Sequence, residues 1–75
     1  PNEVAILLDQ VEDGTKLTTK ELAFLKEQLK GEQSEVAQFS LMAQQCTDPQ
    51  LKNMLAGIAS RHQSHYDTLY RFLQN

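Results

Sequence analysis

Two histidines and two glutamates hold most of the chemistry this 75-residue sequence could perform. His62-x-x-His65 and Glu32-x-x-Glu35 share one spacing, and residues three apart on a helix lie on the same side. Neutral imidazole ligates zinc, iron and other transition metals, and carboxylates complete such sites. Brought together, the four residues would make a metal-binding layer for zinc or iron. They also have a purely structural reading. A buried glutamate bonded to a histidine is a polar layer that sets the register of a helical bundle and binds nothing. Both readings require Glu32, Glu35, His62 and His65 to meet at one level of the fold.

Nucleophilic chemistry is poorly served. Cys46 is the single cysteine, so no disulfide forms within the chain. It lies about four helical turns from His62, too far for a thiolate–imidazole pair within one hairpin. Ser60 and Ser64 flank the histidines, but an unbroken helix offers no oxyanion donors. No glycine-rich phosphate loop is present. The expectation is a protein that is not an enzyme.

The elements that would position the polar residues are two long helices. Leu22, Leu25, Leu29, Glu32, Val36, Phe39, Ala43 and Cys46 recur in alternating steps of three and four, the heptad pattern of a helix facing a partner. Leu51, Leu55, Ile58, His62, His65, Leu69 and Phe72 do the same. Between the two runs stands Thr47-Asp48-Pro49. Asp48 is a preferred N-cap and proline suits the first helical position. The fold class is therefore all-α, an antiparallel helical hairpin over residues 18–75, with helices at 18–46 and 49–74. Folding at the turn sets Glu32 against His65, Val36 against His62 and Leu29 against Leu69. Thr18-Thr19-Lys20-Glu21 reads as a capping box that starts the first helix. Gly31 inside it marks a close approach or bend, or else a surface glycine.

Residues 1–17 read as a short N-terminal helix or arm plus connector. Val4, Leu7, Leu8 and Val11 share one face, and about ten residues cannot hold a helix alone in water. The segment either packs on its own hairpin or reaches a second chain.

A chain this small is marginal without a metal, a disulfide or a partner. Phe24, Leu41, Met42, Met54, Tyr66, Tyr70 and Leu73 widen the apolar arcs beyond one seam, and such arcs belong to helices with more than one neighbour. A twofold homodimer forming a four-helix bundle is the expected closure; a monomeric three-helix bundle is the alternative. The net charge of −3 and the scattered basic residues argue against nucleic acid. No apolar run approaches the ~20 residues that cross a bilayer. The start, Pro1-Asn2-Glu3, lacks signal-peptide character, so an intracellular location is expected.

Three runs carry a family likeness: Glu35-Val36-Ala37-Gln38-Phe39, then Cys46-Thr47-Asp48-Pro49-Gln50-Leu51-Lys52, then His62-Gln63-Ser64-His65-Tyr66-Asp67-Thr68-Leu69. Together they resemble half of a ferritin-like, rubrerythrin-like bundle, and more closely the Coat F group of spore coat proteins. The resemblance covers about Thr18 to Leu73. It implies a structural or interaction role, other spore coat proteins as partners, and the cytoplasm or spore coat of a spore-forming bacterium. It also implies that Glu35 matches a first-helix metal carboxylate and His65 the histidine of Glu-x-x-His. His62 stands where the second carboxylate would be, which removes a bridging ligand that a di-iron site needs. The resemblance favours Glu35 as the inward carboxylate, whereas the heptad favours Glu32.

Overall fold

The structure, a computed structural model, describes residue 8 and residues 16–74. Two helices form an antiparallel pair: α1, Thr19–Gln45, and α2, Pro49–Tyr70, which ends in a 3-10 turn, Arg71–Gln74. No strand occurs among the described residues. The expected N-terminal helix lies outside the described residues, apart from Leu8. That residue is helical and buried, and it clusters with Leu25 and Leu29 of its own hairpin.

Both helix starts form as their residues dictate. The Thr18 hydroxyl accepts from the Glu21 amide and the Glu21 carboxylate accepts from the Thr18 amide, each at 3.0 Å. The bond from the Thr18 backbone, then the contact with its side chain, hold the Glu21 carboxyl below its ordinary value. A lowered carboxyl stabilises the fold above the unfolded-state pKa, and that contribution disappears as pH falls through the folded-state value. Glu21→Gln is therefore expected to flatten part of the acid limb of a stability-against-pH curve while leaving the alkaline limb unchanged. Chemical denaturation repeated from neutral pH into the acid range checks this. At the turn, Asp48 Oδ1 accepts from the Leu51 amide at 2.8 Å, with Pro49 at the first helical position. Before it, α1 ends on Cys46 in extended backbone, and Asp48, directly before the proline, is extended as its place requires. The Cys46 thiol is half-buried and reaches the Asp48 carbonyl oxygen at 3.6 Å.

On α1 the seam is the expected one. Leu22, Leu25, Leu29 and Ala43 are buried, and Glu32, Val36, Phe39 and Cys46 are partly buried. On α2 the inward stripe is displaced. Leu55, His62 and Leu69 face α1 as expected, but the other inward places fall to Ala59, Tyr66 and Leu73. Leu51 and Phe72 are 46% and 50% exposed, and Ile58 is half-buried. Leu8, Leu17, Leu25, Leu29, Tyr66, Leu69 and Leu73 gather in one cluster, so the apolar packing draws α2 round toward its Tyr66 flank. Burial there pushes the Tyr66 phenol up, with Tyr70 and Asp67 adding to the shift.

Gly31 is exposed, and a Cβ built on it meets nothing within 4 Å. It is a surface glycine in a helix interior, neither a close approach nor a source of strain. Gly31→Ala is expected to raise stability by about 1 kcal/mol through helix propensity, read as a higher denaturation midpoint.

Candidate functional site

Midway along the hairpin, Glu32 of α1 meets both histidines of α2. Its Oε2 lies 3.2 Å from His62 Nδ1 and 3.2 Å from His65 Nδ1. Heptad spacing explains the meeting. Glu32 occupies a seam position one turn beyond Leu29, and the Leu29–Leu69 packing sets the level at which α2 presents its histidines. His62 is on the inner stripe and His65 on its flank, so one carboxylate oxygen receives both rings.

The three residues differ in exposure. The side chains of Glu32 and His62 are 17% and 26% exposed, and that of His65 is 64% exposed. The Phe39 ring stacks on His62 with centroids 5.9 Å apart, closing the inner side of the group. The two imidazoles stand edge to face at 6.0 Å. Beside His65 opens a groove of about 270 Å³ lined by Glu32, His65, Thr68 and Leu69. The group is therefore covered by the Phe39 ring on one side and open to the groove on its Thr68 side.

Of the four residues expected from sequence, the structure brings three together. One ligand atom each from Glu32, His62 and His65 lie within 4.8 Å of one another. Glu35 does not belong to this group; it is half-buried, one turn further along α1. Between the two glutamates left open by the sequence, the seam position joins the histidines and the position implied by the family resemblance does not. The Glu32–His65 pairing occurs as the heptad register requires. His62, expected opposite Val36, is engaged by Glu32 and Phe39. Phe39 is a participant that spacing alone did not single out, although it lies on the seam one heptad past Glu32.

Several apolar side chains also line this side of the hairpin. Leu51, Ile58, His65 and Phe72 are seven residues apart in turn, and Met54 sits one turn from Leu51, so they share the flank of α2 that carries His65. Phe24, Glu35 and Met42, at intervals of eleven and seven, run down the matching flank of α1. Phe24, Met42, Leu51, Met54 and Phe72 are all exposed. The face is thus apolar at both ends with the Glu32–His62–His65 group between them.

Comparison with known proteins finds no matching family model, no matching curated protein and no matching solved structure. No helix among the described residues is long and apolar enough to cross a membrane.

Proposed function

We propose that the chain is a non-enzymatic assembly module, a helical hairpin that closes into a four-helix bundle by pairing with a second copy. In this reading it serves as a structural or interaction protein of the Coat F kind that its sequence resembles, with other coat proteins of a spore-forming bacterium as further partners. The observation that carries it is the exposed apolar face: Phe24, Met42, Leu51, Met54 and Phe72 are all exposed and share one side of the hairpin, the kind of patch that marks a protein–protein contact.

A second copy fits that face in pattern. A twofold axis across its middle sets the Leu51–Met54 end of one copy on the Phe24–Phe72 end of the other, the self-complementarity that an isologous contact needs. The Glu32–His65 level then lies near the axis. Light scattering coupled to size exclusion tests the reading. A dimer at micromolar concentration is expected, and a monomer there overturns it.

A further inference from the structure

We propose that Glu32, His62 and His65 form a site for one zinc ion per chain, with three protein ligands and an open fourth position. This goes beyond assembly and stands on a single hairpin, whether or not two copies pair. Three observations carry it. The first is the donor set: two imidazole nitrogens and one carboxylate oxygen are the ligands of three-ligand zinc sites that keep a place for water. The second is distance. Zinc binds nitrogen and oxygen at about 2.0–2.1 Å, which places neighbouring ligands of a tetrahedron about 3.3 Å apart. Both Nδ1–Oε2 separations are 3.2 Å. The remaining separation closes by turning His65, whose side chain is 64% exposed. The third is convergence. An exposed histidine can satisfy both nitrogens with water, yet His65 is turned back onto the oxygen that His62 already contacts.

The surroundings suit an ion. Phe39 stacked on His62 covers one side of the group and holds that ring. The groove beside His65, about 270 Å³, leaves room for a water or an exchangeable ligand in the fourth position. In the metal-free chain His62 Nδ1 is hydrogen-bonded to Glu32 Oε2 and His65 Nδ1 lies 3.2 Å from the same oxygen. On binding, each ring would give its Nδ1 lone pair to zinc, any proton there moving to Nε2 or to solvent, while Glu32 would exchange these contacts for one metal–oxygen bond. The single carboxylate here is Glu32. Glu35, which a ferritin-like pattern would enlist, is outside the group.

Isothermal titration of the chelator-treated full chain with zinc chloride is expected to give one zinc per chain, and cobalt(II) in its place should show the intense visible bands of a tetrahedral site. His65→Ala and Glu32→Gln should each weaken zinc by more than the roughly 10–100-fold typical of losing an outer-shell partner. Glu35→Gln should leave affinity unchanged. Should Glu32→Gln fail to fold by circular dichroism, the exposed His65 carries the test alone. No saturable zinc uptake by the native chain overturns the proposal. So does unchanged affinity in His65→Ala, or a loss in Glu35→Gln as large as that in His65→Ala. Light scattering on the same samples reads the dimer separately, so a failed zinc site and a failed dimer remain distinct results.

Discussion

Leu29→Ala is expected to lower the stability of the hairpin by about 3–4 kcal/mol, within the range for a buried leucine truncated to alanine. Leu29 is 0% exposed, the one large side chain among the described residues that is fully enclosed. It touches the places where three segments meet, since Leu8, Leu25, Tyr66, Leu69 and Leu73 belong to the same cluster. Truncation leaves a void whose walls belong to both helices, and neither helix can settle into it without shifting the Glu32–His62–His65 level next to it. The loss is large for this chain because small domains hold only several kcal/mol in total. Urea denaturation followed by circular dichroism reads the effect as a fall in midpoint at constant slope. Leu41→Ala is the comparison. Leu41 is 52% exposed on the outer side of α1, and its truncation should stay within about 0.5 kcal/mol. Equal effects at the two positions would contradict the packing described here.

The contrast between α1 and α2 shows what the sequence could reveal. On α1 a single stripe is apolar enough to face a partner, and Leu22, Leu25, Leu29 and Ala43 are all buried there. On α2 two heptad stripes flank the inner line of Leu55, His62 and Leu69. One is Leu51, Ile58, His65 and Phe72, and the other is Ala59, Tyr66 and Leu73. Both have helical period and apolar members, so periodicity places them on the surface of the helix without saying which turns inward. Long-range packing decides it, through the cluster that joins Tyr66 and Leu73 to Leu8 and Leu17. The polar group was legible for the opposite reason. Glu32 interrupts an otherwise apolar seam, and folding at Asp48-Pro49 leaves few levels at which it can meet a histidine. The choice between Glu32 and Glu35 needed coordinates, because both lie within one turn of the same level. The Phe39–His62 stack also needed them, since ring orientation leaves no mark on spacing.

Substituting Met54 with lysine should convert the dimer to a monomer without unfolding the hairpin. Met54 is 63% exposed in the single chain, so a lysine there is fully solvated when no partner is present, and the fold loses little. In the proposed bundle the same side chain is covered. Losing a buried methionine costs roughly 1.5–3 kcal/mol, and covering an ammonium group adds desolvation. Twofold symmetry makes each substitution count twice at one interface. The sum is at least about 4 kcal/mol, which raises the dimer dissociation constant on the order of a thousandfold. Sedimentation or light scattering across a concentration series measures the shift, and circular dichroism at low concentration checks that the helices persist. Leu41→Lys lies on the outer side of α1, away from the proposed interface, and should leave the dimer intact. If the lysine at position 54 leaves the association constant unchanged while the native chain is dimeric, the contact uses another face, and Tyr70 on the opposite flank of α2 becomes the side to substitute. Because His65 lies on the same flank as Met54, a zinc affinity that persists in the monomeric variant would further show that one hairpin supplies all three ligands.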